Sequence, residues 1–219
     1  MKTFVIDSAP IKSLPIKNGN SRFPVRRIYC VGKNYKNHIA EMGGNPQRST
    51  PVFFTKSRET IVETGAFIPY PPQTKNLHHE VELVVAMQSA TEIFGYGVGL
   101  DMTRRDLQAR AKEKGGPWDM AKNFDHSAPC SALTPAAEFD GLKQATITLE
   151  KNGETVQRST LDQMIWSVED ILAHLAQTVT LTAGDLIFSG TPEGVGPVIK
   201  GDHLAARIDG LCGLDVEYV

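Results

Sequence analysis

Two glutamates, Glu80 and Glu82, stand two residues apart in a valine-rich segment, and this spacing could form part of a metal site. Along a β-strand, residues two apart project from the same face of the sheet, so Val81 would face the core instead. Two adjacent carboxylates repel each other, and a cation between them removes the repulsion. The alternative is a solvated strand face with two exposed glutamates, which the pair alone slightly favours.

The next predicted strand, residues 94–101, carries glycine at alternate positions and ends on a carboxylate. Gly95, Gly97 and Gly99 leave one face as bare backbone, and Asp101 continues that face. Glycine weakens a strand and often marks the close approach of another group, here the floor of a metal or ligand pocket. The alternative is a tightly packed face that ends on an incidental aspartate.

If these two strands are neighbours, Glu80, Glu82 and Asp101 form a cluster of three carboxylates. Oxygen ligands select a hard divalent cation such as Mg²⁺, Mn²⁺ or Ca²⁺ rather than zinc. His78 would share the glutamate face, and we treat it as the weakest of the candidate ligands.

A second pair, His38 and Glu41, lies three positions apart in a segment predicted to be helical, residues 34–42. That spacing places both side chains on one helix face within hydrogen-bonding reach. A carboxylate beside an imidazole orients the ring and raises its basicity, which suits a general base that activates water. The alternative is an ordinary surface pair, which the spacing alone favours.

Further polar candidates follow downstream. Arg105 and Gln108 share one face of a predicted helix, and Lys122 comes after that helix. A glycine-rich loop at residues 190–197 lacks the Gly-Lys-Ser/Thr ending of a phosphate loop. Its backbone N–H groups and the hydroxyl of Thr191 could still hold a carboxylate or an oxyanion. The alternative for this loop is a tight turn.

The elements that must position these residues are mostly strands, with a few helices that do not alternate with them. This pattern predicts an α+β fold, mostly β. Capping boxes at residues 103–106 and 167–170 predict helix starts, and Asn152-Gly153 predicts a hairpin turn. Strands are predicted at residues 3–7, 26–32, 51–55, 60–62, 79–87, 94–101, 144–150, 155–158, 185–189, 203–208 and 215–219.

Composition limits the class of protein. The chain has 219 residues, of which 41% are hydrophobic and 22% charged, as in a soluble globular protein. Its formal net charge of -2 lacks the basic excess of a nucleic-acid binder. No apolar run is long enough to cross a membrane, and the first residues lack the long apolar core expected of a signal peptide. Three dispersed cysteines suit a reducing compartment, so we expect a cytoplasmic protein.

Five motifs follow one another along the chain: Val31-Gly32-Lys33-Asn34-Tyr35 with His38, His79-Glu80-Val81-Glu82, residues 99–108, Pro117-Trp118 with Lys122, and residues 190–196. Taken in this order, they resemble the fumarylacetoacetate hydrolase family, and the resemblance extends from about Phe23 to the C-terminus. Segments 22–32 and 124–130 are most similar to the branch of that family that hydrolyses fumarylpyruvate.

The resemblance implies a mixed, layered β-sheet fold of the family's C-terminal domain type, a homodimer and a bound divalent cation, with Mg²⁺ expected first. It implies that residues 1–24 form an N-terminal arm and residues 25–219 the catalytic domain. By the same resemblance, Glu80, Glu82 and Asp101 bind the metal; His38, Glu41 and Lys122 act in catalysis; and Arg105, Gln108 and Thr191 bind the substrate.

The implied reaction is hydrolysis of a carbon–carbon bond in a 1,3-dicarbonyl acid, with fumarylpyruvate, an intermediate of aromatic (gentisate) catabolism, giving fumarate and pyruvate. The same site could instead serve an acylpyruvase, an oxaloacetate decarboxylase or an enol-acid isomerase, because each reaction passes through a stabilised enolate. A non-catalytic protein that binds small acids is a further alternative, and it predicts no metal-dependent turnover. In every case the expected partner is a small keto acid, rather than nucleic acid or a membrane.

Overall fold

The computed structural model describes residues 4–41, 43 and 50–219, and the bounds below refer to these residues. The fold is mostly β with a few short helices, as the sequence predicts. The helices are α1 (Lys36–Glu41), α2 (Arg105–Lys114), α3 (Asp119–Lys122) and α4 (Val168–Ala176). The strands are β1 (Ser13–Pro15), β2 (Arg22–Pro24), β3 (Arg27–Gly32), β4 (Val52–Lys56), β5 (Ile61–Glu63), β6 (Ala66–Ile68), β7 (Leu77–His79), β8 (Val81–Met87), β9 (Ile93–Leu100), β10 (Thr103–Arg104), β11 (Ala128–Cys130), β12 (Thr134–Pro135), β13 (Thr146–Lys151), β14 (Glu154–Thr160), β15 (Asp185–Phe188), β16 (Gly196–Val198), β17 (His203–Ile208) and β18 (Leu214–Tyr218).

Two large mixed sheets form the body of the fold. The first has the order β4-β3-β15-β8-β9-β11-β5, with β12 added beside β9, and the second has the order β14-β13-β17-β18-β6. Side chains of β8 and β9 share one buried apolar cluster with side chains of β13 and β17. Because each large sheet buries one face in this cluster, the two sheets pack as layers, with β8 and β9 in the layer that carries the predicted carboxylates.

A small third sheet, β10-β7-β16, explains a departure from the sequence prediction. The predicted single strand at residues 79–87 is two strands in two sheets. β7 pairs with β10 and β16, whereas β8 pairs with β9 and β15. Glu80 lies between them, at the point where the chain leaves one sheet and enters the other. The two glutamates therefore do not project from one face of one strand, and their approach depends on this change of direction.

The N-terminal segment differs in part from its prediction. Residues 4–7, the described part of the strand predicted at residues 3–7, form no strand, since no neighbouring strand pairs with them. The hairpin of β1 and β2 follows, and its Leu14 and Phe23 are buried in a second apolar cluster on the first large sheet. The division of the chain into an arm ending at residue 24 and a catalytic domain stays a prediction.

The turn and capping predictions have mixed outcomes. Asn152 and Gly153 form the hairpin turn, with φ values of 54° and 83°, and Ser167 forms the predicted capping box with Asp170. The capping box predicted at residues 103–106 is wrong, because Arg104 occupies the N-cap of α2 without a side-chain hydrogen bond. Thr103 belongs to β10, and its hydroxyl donates to the carbonyl of Asp101 instead.

The length and apolar character of the helices decide whether any of them could cross a membrane. Among the described residues, no helix is both long and apolar enough to cross a bilayer.

Candidate functional site

Three buried carboxylates meet where β7, β8 and β9 end or begin. One carboxylate oxygen from each of Glu80, Glu82 and Asp101 lies within 4.8 Å of the others. Glu82 is on β8 opposite Gly99 of β9, and the N–H of Asp101 donates to the carbonyl of Glu80 over 2.9 Å. These backbone pairings set the spacing of the three side chains. The resulting donor set consists of oxygens only, which suits a hard divalent cation.

One oxygen of this cluster lies beside a buried cation of the protein. Oδ1 of Asp101 is buried and accepts no hydrogen bond among the described residues, although Nζ of Lys56 lies 2.9 Å away as an ion-pair partner. The Lys56 ammonium therefore supplies positive charge to this oxygen from one side. The three buried carboxylates still offer an all-oxygen donor set of the kind that holds a divalent cation, so the residues present fit a metal ion.

Cationic side chains surround the carboxylates. Nζ of Lys122 donates to Oε2 of Glu80 over 2.7 Å, to Oδ2 of Asp101 over 2.5 Å and to Oγ1 of Thr103 over 2.7 Å. Arg105 donates to the other carboxylate oxygen of Glu80. Burial disfavours the charged form of Lys122, but the Asp101 and Glu80 carboxylates outweigh burial and raise its pKa. Lys122 therefore stays positively charged at neutral pH.

The carboxylates differ in their electrostatic balance. Burial would raise the pKa of Glu80, but Lys122 and Arg105 outweigh it, so the pKa of Glu80 is lowered. Burial and the adjacent carboxylates of Asp101 and Glu80 raise the pKa of Glu82 well above its usual range. Oε2 of Glu82 accepts one hydrogen bond, from the N–H of Gly190 over 2.8 Å. Glu82 is thus the carboxylate that gains most from an added cation.

His38 and Glu41 form the pair that their spacing predicts. Nδ1 of His38 lies 3.2 Å from Oε2 of Glu41, and His38 is buried at 6% exposure. The N–H of Gly194, in the glycine-rich loop, donates to Oε1 of Glu41 over 3.1 Å and holds that carboxylate in place. The helix begins at Lys36 rather than residue 34, and Met42 lies outside the described residues. The burial of His38 favours the functional interpretation over a surface pair.

The predicted residues line one pocket. Nη1 of Arg105 donates to Oε1 of Gln108 over 2.7 Å, so the two side chains form one polar face of α2. Glu41 reaches the pocket through His38. The remaining eight predicted site residues line it directly: His38, Glu80, Glu82, Asp101, Arg105, Gln108, Lys122 and Thr191.

Two sequence interpretations near the site are wrong. The bare glycine face is a packing surface, because a Cβ on Gly95 would lie 2.3 Å from the carbonyl oxygen of Thr134, and one on Gly99 2.5 Å from Phe188. His78 is not part of the carboxylate cluster, and it instead contacts Asn76 over 2.9 Å. Burial, together with the charge of Arg105, lowers the pKa of His78 to about 4, so its ring is neutral.

Sequence reasoning missed several residues that contact the site. Lys56 ends β4 and contacts Asp101 across the fold, and Gln157 on β14 reaches the glycine-rich loop. Lys112 and Trp118 also line the pocket, with Nζ of Lys112 5.3 Å from the centre of the indole ring. The contacts of Lys56 and Gln157 join residues distant in sequence, and no local spacing signals them.

Comparison with known proteins identifies the family. The sequence profile described as Fumarylacetoacetate (FAA) hydrolase C-terminal matches residues 27–217. The chain belongs to the fumarylacetoacetate hydrolase family. This membership confirms the resemblance drawn from the motifs and the layered, mixed β-sheet fold.

The relatives within the family are named for two different activities. A fumarylpyruvate hydrolase of a Ralstonia species is 44% identical over 174 residues, which cover 75% of this chain and 90% of the relative. An oxaloacetate tautomerase of Escherichia coli K12 is 42% identical over 199 residues, which cover 86% and 90%. The protein is therefore similar to both hydrolases and tautomerases of keto acids.

A solved structure matches almost the whole chain. It is the fumarylpyruvate hydrolase of Pseudomonas aeruginosa in complex with Mn²⁺ and pyruvate, with a TM-score of 0.95 and 43% sequence identity, covering 99% of both chains. The two chains therefore share one fold over almost their full length.

Proposed function

We propose that this protein is a divalent-metal-dependent hydrolase that cleaves fumarylpyruvate, a 1,3-dicarbonyl acid, into fumarate and pyruvate. One observation carries the proposal: the carboxylate cluster and the His38–Glu41 pair face the same pocket as Arg105 and Lys122. Metal-dependent hydrolysis of an anionic keto acid needs a cation site, a base for water and positive charge for the substrate, and this pocket offers residues for all three. The names of the Ralstonia and Pseudomonas relatives support the same substrate.

In this proposal Glu80, Glu82 and Asp101 would hold the ion. When bound, a divalent cation supplies Lewis-acid polarisation of substrate oxygens and a template for their orientation. We expect Mg²⁺, with Mn²⁺ or Ca²⁺ as alternatives. The Mn²⁺ in the Pseudomonas relative supports a divalent cation without selecting among these three.

The protein residues account for the proton and charge movements. His38, oriented by Glu41, takes a proton from water, and the hydroxide adds to the carbonyl of the fumaryl group. The bond between that carbonyl carbon and the methylene of the pyruvyl group then breaks. Its electron pair stays on the pyruvyl group as an enolate, which takes up a proton to give pyruvate, while the fumaryl group leaves as fumarate.

Other residues stabilise and orient the substrate. Lys122 stays charged beside the cluster, so it lowers the energy of negative charge that develops on a substrate oxygen. Arg105, Gln108 and Thr191 present donors along the pocket wall and would contact the carboxylate and keto oxygens. Holding these groups before the reaction lowers its entropic cost.

A substrate panel tests this proposal. Fumarylpyruvate, acetylpyruvate and oxaloacetate are each mixed with the Mg²⁺-loaded protein, and loss of enol absorbance is followed with and without EDTA. We expect the fastest loss with fumarylpyruvate, fumarate and pyruvate as products, and no turnover in EDTA. Turnover that EDTA leaves unchanged, or absence of fumarate among the products, overturns the proposal.

A second candidate is oxaloacetate tautomerase, which the identity to the Escherichia coli relative favours. Tautomerisation uses the same enolate but moves only a proton and needs no attack by water. An acylpyruvase would hydrolyse a substrate with a different acyl group. An oxaloacetate decarboxylase or another enol-acid isomerase would instead act with water excluded. The substrate panel separates them, because decarboxylation releases CO₂ and tautomerisation changes absorbance without new products.

The oligomeric state and the cellular location of the protein are also part of the proposed function. We expect a homodimer in the cytoplasm, in keeping with the family resemblance and the dispersed cysteines. Size-exclusion chromatography with light scattering measures the oligomeric state directly.

A further inference from the structure

Gln157 is a buried polar side chain that joins the two chain segments flanking the site. It lies on β14 with 1% exposure. Its Oε1 accepts hydrogen bonds from the N–H of Val81 over 3.1 Å and from Nδ1 of His79 over 3.0 Å. Its Nε2 donates to Oγ1 of Thr191 over 2.9 Å and to the carbonyl of Pro192 over 2.9 Å. One amide thus spans from the Glu80 junction to the glycine-rich loop.

The orientation of this amide is fixed by its backbone partners. The N–H of Val81 can only donate, so the atom facing it must be the carbonyl oxygen of Gln157. The carbonyl of Pro192 can only accept, so the atom facing it must be the amide nitrogen. The two hydrogens of Nε2 are then shared among the carbonyl of Pro192, the hydroxyl of Thr191 and, over 3.4 Å, the carbonyl of Glu193.

This orientation determines the role of the Thr191 hydroxyl. A hydroxyl has one hydrogen and can accept through its lone pairs. Because an amide nitrogen cannot accept, the hydrogen of Thr191 does not point to Gln157. Among the described residues, none accepts a hydrogen bond from this hydroxyl, and Thr191 lines the pocket at 3% exposure. The hydrogen is therefore available to an anionic oxygen in the pocket.

We propose that Gln157 is a positioning residue that makes the Thr191 hydroxyl a hydrogen-bond donor to a carboxylate or enolate oxygen of the substrate. This inference rests on the proposed function, because it requires a keto acid in the pocket. Gln157 itself does not touch the substrate and acts through Thr191.

The principal test reverses the polarity of the amide. Gln157→Glu has nearly the same shape, but the new oxygen faces Thr191 as an acceptor, so the hydroxyl hydrogen turns toward the introduced carboxylate and away from the pocket. We expect the Kd of pyruvate for the Mn²⁺-loaded protein, measured by calorimetry, to rise about tenfold, and KM for fumarylpyruvate to rise with it. Gln88→Glu makes the same chemical change at an exposed site and should leave both constants unchanged.

A double-mutant cycle separates this role from a structural one. Thr191→Val removes the hydroxyl and should raise the Kd of pyruvate by a similar factor, whereas Thr191→Ser should retain wild-type affinity. In the Thr191→Val background, Gln157→Glu should change the Kd by less than about twofold. A Gln157→Glu effect that persists in full without the hydroxyl overturns the inference, since Gln157 would then act through Val81 or His79.

A second variant covers the case in which Gln157→Glu does not fold. Gln157→Met removes the donor without offering an acceptor, so the hydroxyl can still turn toward the substrate, and the Kd should rise by less than about threefold. A loss as large as that of Thr191→Val overturns the inference. If wild-type protein binds no pyruvate and turns over no keto acid, the proposed function fails and this inference fails with it; if it binds pyruvate but the cycle shows no coupling, only this inference fails.

Discussion

The ammonium of Lys56 lies 2.9 Å from Oδ1 of Asp101, and both side chains are almost fully buried. The same ammonium donates to the carbonyls of Met102 and Lys122. Lys56 thereby links the strand β4 to the end of β9 and to α3, all of which border the site. It supplies positive charge to the carboxylate cluster from the protein side, whereas Lys122 lines the pocket.

Lys56→Met should therefore destabilise the fold strongly. The substitution removes a buried charge from its partner and leaves two buried carbonyls without this donor, and we expect the free energy of unfolding to fall by about 3 kcal/mol. Urea unfolding followed by circular dichroism measures the change. Lys143→Met, at an exposed position, should change it by less than about 0.5 kcal/mol. Equal effects of the two substitutions would contradict the structural role of Lys56.

His38→Ala should abolish most turnover while leaving the metal site intact. Loss of a general base lowers kcat by about 10²- to 10⁴-fold, and the hydrogen bond of His38 among the described residues goes to Glu41 rather than to a proposed ligand. Steady-state kinetics and calorimetric titration with Mn²⁺ measure the two quantities. His203→Ala, which changes an exposed histidine, should leave both unchanged. Retained kcat in His38→Ala would remove this residue from the mechanism.

Glu82→Gln should weaken metal binding more than it weakens folding. The substitution removes one anionic ligand but keeps the size of the side chain, and we expect the Kd of Mn²⁺ to rise at least about tenfold. The fold should be retained, because the repulsion between Glu82 and its neighbouring carboxylates disappears. Calorimetry gives the Kd, and Glu154→Gln on the exposed part of β14 serves as the control. An unchanged Kd would exclude Glu82 as a ligand.

The sequence predicts the components of the site better than the way they are brought together. Alternation brings Glu82 of β8 opposite Gly99 of β9, because strand pairing and side-chain direction follow local rules. Glu80 enters the cluster for a different reason, namely the switch between two sheets, and a valine-rich segment contains no sign of that switch. The sequence does not predict the roles of Lys56 and Gln157, because their partners lie far away along the chain and local spacing does not indicate such contacts.

The alternating glycines of β9 are a further feature whose partner the sequence does not identify. Their pattern indicates a close approach, but only the structure identifies the approaching group as protein. Gly99→Ala would place a Cβ 2.5 Å from Phe188 and 2.6 Å from Val84, so the core must shift, at a cost of about 1–3 kcal/mol. Thermal unfolding measures the loss. Gly19→Ala, whose added Cβ meets nothing closer than 3.9 Å, should leave the melting temperature nearly unchanged; an equal loss there would contradict the packing explanation.

The three cysteines should differ sharply in reactivity. Cys30 and Cys130 are fully buried on β3 and β11 of the first large sheet, and burial raises the pKa of Cys130 to about 12 and that of Cys30 well above its usual range. Only the thiolate reacts with disulfide reagents, and a raised pKa keeps both thiols protonated at neutral and mildly alkaline pH. Cys212 is half-buried and remains the accessible thiol of the chain.

A thiol titration with Ellman's reagent checks this difference. The native protein should release one equivalent at pH 8 and three after unfolding in guanidinium chloride. Between pH 7 and pH 9 Cys30 and Cys130 should stay unreactive, because their raised pKa keeps both thiols protonated. In Cys212→Ser the native signal should vanish. Two or more fast equivalents from the native protein would show that the sheet core opens more readily than its packing predicts.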